Sequence, residues 1–233
     1  MAAAPRADYG IDAPAVVRRL VVLGASALAI AAAGAFREAF LILAAWLFVC
    51  AATMLAGSRF GKLRLRDTLL ARIPWRGDEH VLDVGCGRGL MLIGAAHRLT
   101  TGRAVGVDVW RAADQSDNRP ETTLINARLE GVADTVDVRS GDARNLPFGD
   151  ASFDVVLSSF ALHNIENGEE RAAAVREILR VLKPGGHVGI VDVWRISQYR
   201  RVLRDARMDG VRLSAPSFWF VVPSFILTAT KPH

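Results

Sequence analysis

Two long runs without a charged residue occupy the first quarter of the chain. They are residues 20–36 and 39–57, and Arg37 and Glu38 separate them. Both runs reach the lower end of the roughly 17–25 residues that an apolar helix needs to cross a bilayer. Neither run has the polar face that a helix packed on a soluble domain shows to water. The sequence therefore predicts a two-helix transmembrane hairpin over residues 15–58.

Positive charges lie at the two outer ends of this hairpin. Arg18 and Arg19 precede the first run. Four basic residues follow the second run: Arg59, Lys62, Arg64 and Arg66. Because Lys and Arg beside membrane helices favour the cytoplasmic side, both ends are predicted to be cytoplasmic, with a tight turn near Arg37 and Glu38. The lipid bilayer is then a predicted partner, and the rest of the chain is predicted to lie on the cytoplasmic side of the membrane.

Other interpretations of the apolar runs are open. A cleaved secretory signal would explain the first run but not the second, which follows it at once. A soluble helical pair requires a polar face, and a pair lying flat in the membrane interface requires a strong segregation of polar and apolar sides. The runs show neither feature, so a spanning hairpin is the preferred interpretation.

The segments on either side of the hairpin differ from it in composition. Residues 1–14 are small and polar and contain proline, which predicts a mobile N-terminus. Residues 59–77 are predicted to form a basic linker or lid. The net charge of +5 suits anionic partners such as lipid headgroups, but it also follows from a general bias towards Ala and Arg. Cys50 and Cys86 show neither zinc-binding nor disulfide spacing, so no metal site is predicted.

From residue 78 to the end of the chain, short β-branched runs alternate with helical stretches. The clearest helix covers Glu169–Lys183, where apolar residues recur at helical spacing before a Lys-Pro-Gly-Gly break. Such alternation predicts an α/β fold with a parallel sheet covered by helices. The predicted parallel strands are His80–Val84, Ala104–Asp108, Thr135–Arg139, Phe153–Ser158 and His187–Val193. In the tail, Phe218–Val222 and Phe225–Thr230 are predicted to pair as antiparallel strands at one edge.

Glycines and carboxylates follow the predicted strands, at the edge where parallel sheets bind ligands. The loop after the first strand contains Gly85, Gly87 and Gly89, whose missing side chains let a ligand approach the backbone. Their spacing departs from the Gly-x-Gly-x-x-Gly pattern of dinucleotide-binding loops, which disfavours an NAD-dependent oxidoreductase. Asp108, after the second strand, can accept hydrogen bonds from ribose hydroxyls. Asp142, after the third strand, can accept one from an adenine amino group.

Five ordered motifs in this part of the chain resemble the class I S-adenosylmethionine (SAM)-dependent methyltransferase family. The motifs are residues 81–89 (VLDVGCGRG), 106–108 (GVD), 141–148 (GDARNLPF), 153–156 (FDVV) and 182–186 (LKPGG). The resemblance covers residues 78–231. It implies a Rossmann-like, mostly parallel seven-stranded sheet with an antiparallel last strand, in a methyltransferase domain of residues 78–233.

The same resemblance implies SAM as the cofactor. Asp83 would lie near the methionine amino group, Asp108 at the ribose, and Asp142 with Ala143 at the adenine. The cofactor-binding residues implied in this way are Asp83, Gly85, Cys86, Gly87, Gly89, Asp108, Val109, Trp110, Gly141, Asp142, Ala143 and Ser158.

The segments around the predicted fourth strand bear on the acceptor. Residues 146–148 and 162–164 resemble the small-molecule branch of that family, which includes quinone and sterol methyltransferases. Residues 158–161 (SSFA) lack the Asn/Asp-Pro-Pro-aromatic signature of enzymes that methylate bases, so no nucleic-acid partner is predicted. The sequence thus predicts a membrane-anchored methyltransferase of a hydrophobic or lipid-like small molecule. A membrane-tethered SAM-binding protein without transfer activity and a methyltransferase of a soluble small molecule are the alternatives, and no oligomeric state is indicated.

Methyl transfer needs alignment of the acceptor and, for a hydroxyl acceptor, a base. His163 follows the fourth strand, where the family's acceptor pocket is expected, and is the candidate catalytic residue. Packing or helix capping is its alternative role. Tyr199 could also reach the pocket, but an ordinary place on a helix surface is the preferred interpretation. Trp110 with polar residues 114–118 is a candidate lid over the cofactor, with a solvated loop as the alternative. The hairpin and residues 59–76 are expected to border the acceptor pocket.

Overall fold

A computed structural model describes residues 6–34, 36–111 and 114–233 of the chain. Its first two elements are α1 (Pro14–Ala32) and α2 (Arg37–Ala56), which pack against each other as a helical hairpin. Each contains an 18-residue window that is apolar enough to cross a membrane, and only 17% of each window is buried. A core helix of a globular domain would be mostly buried, so the low burial separates this pair from the rest of the fold.

A continuous helix connects the hairpin to the remaining domain. α2 continues through a π-helical turn (Gly57–Gly61, the π-turn) into α3 (Lys62–Leu70), so that one helix of 34 residues runs over Arg37–Leu70. The α3 side chains that enter the hydrophobic core are Leu65, Leu69 and Leu70. Much of the segment predicted to be a linker or lid, residues 59–77, is therefore a core helix in this structure.

The residues before α1 are hydrogen-bonded to distant parts of the chain. The ammonium group of Lys62 donates to the carbonyl oxygens of Tyr9 and Gly10, each at 2.7 Å. The backbone N–H of Asp8 donates to Asn126 Oδ1 at 3.0 Å. Part of the segment predicted to be mobile thus has fixed partners, while residues 1–5 lie outside the described residues.

The strands assemble into one sheet. They are β1 (His80–Val84), β2 (Arg103–Asp108), β3 (Val136–Ser140), β4 (Phe153–Ser159), β5 (Leu182–Asp192), β6 (Asp209–Leu213) and β7 (Phe225–Thr230). The sheet has seven strands in the order β3-β2-β1-β4-β5-β7-β6. β1 to β5 pair in parallel, and β7 runs antiparallel to both of its neighbours, β5 and β6. This is the Rossmann-like, mostly parallel sheet with an antiparallel last strand that the sequence predicts.

Helices cover both faces of the sheet. They are α4 (Leu90–Ala96), α5 (Pro120–Leu129), α6 (Gly168–Val181) and α7 (Ile196–Asp205). Side chains alternate along each strand. Val81 and Val155 therefore join the core layer that contains α3 and α4, whereas Leu82 and Val156 join the layer that contains α6 and α7. The carboxyl ends of the parallel strands meet at one edge between these layers.

The predicted antiparallel pair in the tail is half wrong. Phe225–Thr230 is a strand, but residues 218–222 belong to a loop, and β7 pairs instead with β5 and β6. The aromatic residues that suggested a strand pack elsewhere: Trp219 lies against the π-turn, and Phe220 packs edge-to-face against Phe160. A smaller difference is that β5 begins at Leu182, before the predicted His187.

Leu69 tests whether α3 belongs to the core. It is fully buried, and its Cδ1 lies 2.7 Å from the position that a Cβ on Gly189 of β5 would take. We expect Leu69→Ala to lower the free energy of unfolding by about 2–5 kcal/mol, because truncation leaves a cavity. The exposed neighbour Thr68→Ala should change it by less than about 0.5 kcal/mol. Denaturation in detergent, followed by circular dichroism, measures both, and equally small effects would contradict the core position of α3.

Candidate active site

A cavity of about 560 Å³ lies at the carboxyl ends of the parallel strands. This is the position at which open α/β sheets bind ligands. Most of the residues predicted to bind the cofactor line it: Asp83, Gly85, Cys86, Gly87, Asp108, Val109, Gly141, Asp142 and Ala143. The topology thus brings together side chains from the ends of β1, β2 and β3.

The glycine loop between β1 and α4 presents bare backbone to this cavity. Gly85 and Gly87 have φ values of 73° and 50°, which side chains rarely allow. A Cβ on Gly85 would lie 2.1 Å from the Cβ of Ala161, and one on Gly87 would lie 2.6 Å from Gln115 Oε1. A side chain at either position would therefore occupy space at the cavity wall, which is why the loop needs glycine.

Asp108 connects the glycine loop to the segment after β2. Its Oδ2 accepts from the backbone N–H of Gly87 at 2.9 Å, and its Oδ1 accepts from the N–H of Trp110 at 2.7 Å. The amide of Asn118 also donates to Oδ1, at 3.3 Å. The carboxylate is mostly buried but borders the cavity, so it holds an acceptor in a fixed position for ligand hydroxyls.

Asp83 is an incompletely paired carboxyl group at the cavity wall. Its Oδ2 accepts from the backbone N–H of Leu92 at 2.9 Å. Its buried Oδ1 has no hydrogen-bond partner among the residues that the structure describes. Burial raises the pKa of the Asp83 carboxyl to about 7, although the bond from Leu92 opposes this. A cationic group of a ligand would supply the missing partner.

Asp142 is engaged by a neighbouring arginine. The Arg144 guanidinium donates to both oxygens of Asp142 and also contacts Glu170, and its backbone N–H donates to Oδ1 at 2.9 Å. These hydrogen bonds lower the pKa of the Asp142 carboxyl. An adenine amino group would therefore meet a carboxylate that already accepts several bonds. Arg144 also lines the cavity.

Three predicted cofactor residues lie outside the cavity lining. Gly89, with φ 86°, starts α4, and Ser158 is buried with its hydroxyl donating to Val84 O at 2.8 Å. Trp110 adopts a φ of 58°, and its indole N–H donates to Ser140 Oγ at 2.9 Å. These residues shape the loops that carry the lining residues. Gln115 and Asn118, from the predicted lid, do line the cavity.

His163 is held by a buried carboxylate. It lies in a 3₁₀ turn after β4, between the lining residues Leu162 and Asn164, and is itself outside the lining. Its Nδ1 lies 2.6 Å from Asp192 Oδ1. Asp192 is fully buried and also accepts from the N–H of Val193 and the hydroxyl of Tyr199. The carboxylate favours a proton on Nδ1, which leaves the lone pair on Nε2.

Tyr199 does not lie on a helix surface, as the sequence suggested, and Asp192 was not identified from the sequence. Tyr199 is completely buried, and its hydroxyl donates to Asp192 Oδ2 at 3.1 Å. Burial raises the pKa of the Tyr199 phenol, so the hydroxyl remains a donor. The available signal was the position of Asp192 at the end of a predicted parallel strand, on the same sheet edge as Asp83 and Asp108.

Two lining residues come from the segments around the hairpin. Asp12 and Lys62 border the cavity and form an ion pair at 3.2 Å. The Lys62 side chain is almost fully buried. Its position three and seven residues before Leu65 and Leu69, on the buried side of one helix, was a signal for an inward-facing lysine. The segment after the hairpin therefore does reach the cavity, through Lys62.

The match to a known family agrees with this geometry. Residues 82–190 match the family model described as a methyltransferase domain. Residues 82–190 of the chain therefore carry the methyltransferase domain that this model describes. The matched range begins in β1 and ends in β5, so it includes the glycine loop and the carboxylates Asp83, Asp108 and Asp142.

Several relatives are methyltransferases. The 27-O-demethylrifamycin SV methyltransferase of Amycolatopsis mediterranei is 35% identical over 129 residues, which cover 55% of this chain and 44% of that protein. The demethylmenaquinone methyltransferase of Lactiplantibacillus plantarum is 36% identical over 126 residues, covering 53% of this chain and 48% of that protein. The chain thus spans about half the length of these curated relatives.

Solved structures share the fold. A SAM-dependent methyltransferase from Aquifex aeolicus gives a TM-score of 0.55 at 19% identity, covering 71% of this chain and 88% of that one. Geranyl diphosphate C-methyltransferase from Streptomyces coelicolor A3(2), solved with S-adenosyl-L-homocysteine, gives a TM-score of 0.58 at 15% identity, covering 72% of this chain and 78% of that one. The [4+2]-cyclase SpnF gives a TM-score of 0.60 at 24% identity, covering 73% of this chain and 80% of that one.

SAM is the cofactor of this domain, and the residues present fit it. The unpaired Oδ1 of Asp83 suits the methionine ammonium group, and the Asp108 carboxylate suits the ribose hydroxyls. The side-chain-free backbone at Gly85 and Gly87 leaves room for the ligand between them.

Asp83 makes SAM binding dependent on protonation. In the ligand-free domain its raised pKa keeps the carboxyl largely protonated below pH 7. A bound ammonium group would lower that pKa, so affinity should rise as pH increases towards 7, and binding should release a proton. Calorimetry in buffers of different ionisation enthalpy measures this release. Asp83→Asn should remove that release and weaken binding about tenfold, as expected for one charge-assisted hydrogen bond. An unchanged proton count in the variant would contradict the assignment.

Proposed function

We propose that the protein is a membrane-anchored methyltransferase that transfers the methyl group of SAM to a hydrophobic, quinone-like small molecule at the cytoplasmic face. The observation that carries the proposal is the continuous helix Arg37–Leu70. Its first part is apolar on all sides and exposed, and its last part contributes Lys62 to the wall of the cofactor cavity. The proposed anchor and one residue of the cavity wall thus lie on one continuous helix.

SAM, when bound, supplies a methyl group that is already activated on a sulfonium. The chain then has to align the acceptor with that group, and such alignment alone contributes a large part of a rate enhancement. The glycine loop, Asp83 and Asp108 fix the cofactor end of the cavity. The segment after β4 lines the proposed acceptor end with the apolar residues Phe160, Ala161, Leu162 and Ile165, beside polar residues that include Asn164 and Glu166. A flat, mostly apolar acceptor with a polar substituent suits that lining.

His163 acts as the base for an acceptor hydroxyl. Its Nε2 accepts the hydroxyl proton as the oxygen becomes the nucleophile. The imidazolium that results is stabilised by the Asp192 carboxylate at 2.6 Å from Nδ1. Tyr199 and the N–H of Val193 keep that carboxylate in place. Asp192 and Tyr199 are positioning residues, because they reach the acceptor only through the histidine.

Our proposal for the class of acceptor rests on the names of the relatives and on the apolar hairpin. Relatives are named for demethylmenaquinone and for a demethylated rifamycin, and both names describe transfer to a small organic molecule. A lipid-soluble acceptor would also explain a methyltransferase domain attached to two exposed apolar helices. We therefore favour a ring hydroxyl on an isoprenoid or otherwise lipid-soluble acceptor, which enters from the bilayer side of the cavity.

A second class of function is a domain that binds SAM without transferring its methyl group. The structural neighbour SpnF is named a cyclase, so this fold also serves reactions of another type. A methyltransferase of a soluble small molecule is the third possibility. Release of S-adenosylhomocysteine separates transfer from mere binding, and comparison of tailed with tail-less acceptors separates the lipid-soluble from the soluble class.

The histidine is tested with full-length protein in nanodiscs and a hydroxylated naphthoquinol with an isoprenoid tail. We expect His163→Asn to lower kcat by about 10²–10⁴-fold, because a general base is lost, and to leave SAM affinity unchanged. His97→Asn, on the exposed end of α4, is the matched control and should keep full activity. If the wild type releases no S-adenosylhomocysteine with any tailed quinol, the quinone-like acceptor is wrong. If His163→Asn keeps its rate, the base is wrong.

The membrane topology is tested with single cysteines. Phe36, between α1 and α2, is 82% exposed, whereas the native Cys50 and Cys86 are buried. In right-side-out membrane vesicles, an impermeant maleimide should label Phe36→Cys directly, because the hairpin turn is proposed to face outward. Ile125→Cys, on exposed α5, should react only after permeabilisation. Labelling of both positions only after permeabilisation would rule out a spanning hairpin.

A further inference from the structure

The loop between β6 and β7 exposes large apolar side chains. This loop covers residues 214–224 and is closed by a bridge between Ser217 and Ser224. Phe218 is 70% exposed, Val221 is 45% exposed and Trp219 is 37% exposed. Neither the cofactor site nor the proposed catalytic base uses these side chains. A cluster of large exposed apolar groups in one short loop marks a surface that contacts something other than water.

The loop has a fixed position against the π-turn. A Cβ on Gly57 would lie 2.5 Å from the carbonyl oxygen of Trp219, and one on Gly61 would lie 2.5 Å from the Trp219 Cβ. The two glycines therefore let the loop backbone lie directly on the helix. The Arg64 guanidinium adds a cation–π contact, 5.1 Å from the centre of the Trp219 ring.

The π-turn follows directly on the apolar part of the helix. α2 has 20 residues, which corresponds to about 30 Å and matches the hydrocarbon thickness of a bilayer. A spanning α2 therefore leaves the hydrocarbon near Gly57. Phe60 and Arg59, both exposed, come just after this point. Aromatic and basic side chains at this depth are typical of the membrane–water interface.

We propose that the β6–β7 loop is a second membrane contact, which inserts Phe218, Trp219 and Val221 into the headgroup region of an anionic bilayer. This inference rests on the proposed hairpin, which brings the loop to the membrane surface. Arg64, whose guanidinium lies over the Trp219 ring, is exposed beside the loop and pairs with a lipid phosphate. The occupant is a bilayer because the apolar loop and Arg64 lie against the end of the apolar helix.

The contact connects the bilayer to the cavity. Phe220, in the same loop, is buried, and its ring centre lies 5.2 Å from that of Phe160 in an edge-to-face arrangement. Phe160 lines the cavity and adopts a φ of 51° after β4. One aromatic pair therefore separates the membrane-facing loop from the acceptor end of the cavity.

Depth-dependent quenching tests the proposal on the full chain in nanodiscs that contain phosphatidylglycerol. An environment-sensitive fluorophore is attached at Phe218→Cys, at Trp46→Cys inside α2, and at Ile125→Cys on exposed α5 as the control. We expect position 218 to be blue-shifted and quenched at least twofold more by a shallow nitroxide lipid than position 125. Position 46 should be quenched more strongly by a deep nitroxide lipid. The unsubstituted chain measures background labelling of the buried native cysteines.

The outcomes separate the loop from the hairpin. Quenching at position 46 with a water-like spectrum at 218 overturns the loop contact and leaves the hairpin standing. Water-like spectra at both positions overturn the hairpin and the loop contact together. A blue shift at 218 without nitroxide quenching assigns the loop to a protein contact, such as a second copy of the chain, and overturns the bilayer as its occupant.

A second variant tests the role of the π-turn. Gly61→Leu should displace Trp219 and reduce shallow quenching at position 218 at least twofold, while quenching at position 46 stays unchanged. Ala52→Leu, a similar but slightly smaller increase in size on the exposed side of α2, is the control and should change neither the quenching at 218 nor that at 46. Unchanged quenching at 218 in Gly61→Leu would show that the π-turn does not hold the loop in the membrane.

Discussion

The helix Arg37–Leu70 has to satisfy two different surroundings without a break in its backbone hydrogen bonding. From residue 39 onward, α2 is apolar on every side, and few of its residues are buried against the protein. The last nine residues, α3, are amphipathic and place Leu65 and Leu69 in the core of the sheet domain. Because the chain stays helical through the π-turn between these two parts, the orientation of the hairpin is coupled to that of the cofactor cavity.

The π-turn and the N-terminal segment reinforce this coupling. The π-turn places Gly57 and Gly61 where a loop from the end of the chain can lie on the helix, and local π-helical geometry often marks functional positions. At the other end of the hairpin, the residues just before α1 bond to Lys62 and, through Asp8, to Arg88 of the glycine loop at 3.0 Å. Both ends of the hairpin are therefore attached next to the cavity. Removing the hairpin would therefore also disturb the glycine loop.

Most of the fold and half of the candidate site could be predicted from local sequence patterns. A buried strand such as β1 needs only its own apolar run, and the bend at Gly85 needs only a residue without a side chain, so both were predictable. For Lys62 the helical spacing to Leu65 and Leu69 indicates only an inward-facing side chain, because its partners Tyr9 and Gly10 lie more than fifty residues away in sequence.

The prediction for residues 218–222 was wrong because it, too, depends on contacts with a distant segment. Residues 218–222 have the composition of a strand, yet their conformation depends on contact with the distant glycines of the π-turn. The pairing of His163 with Asp192 was also not predictable from local sequence, since the two residues are 29 positions apart. Contacts between distant segments decide these positions, and a single sequence does not record them.

Asp192 and Asp83 are two buried acidic residues at the same sheet edge, and their different hydrogen-bond partners suit them to different roles. Asp192 accepts hydrogen bonds from the Val193 N–H, the Tyr199 hydroxyl and the His163 ring, all within its own layer of the fold. Its bonding is complete without a ligand, so it suits a permanent role in orienting a side chain. Asp83 accepts only the bond from Leu92 and keeps one buried oxygen without a partner among the described residues.

The difference in hydrogen bonding between Asp83 and Asp192 distinguishes the cofactor end of the site from its proposed acceptor end. The Asp83 carboxyl, with a pKa raised to about 7, loses its unfavourable desolvation only when a cation arrives, so it responds to the ligand. The Asp192 carboxylate already has its donors, and in the proposed reaction it would stabilise a proton taken up by His163. In the proposed reaction, one carboxylate compensates the charge of the cationic cofactor and the other compensates the proton from the acceptor. The two carboxylates therefore need different hydrogen-bond partners, because each charge must be compensated where it forms.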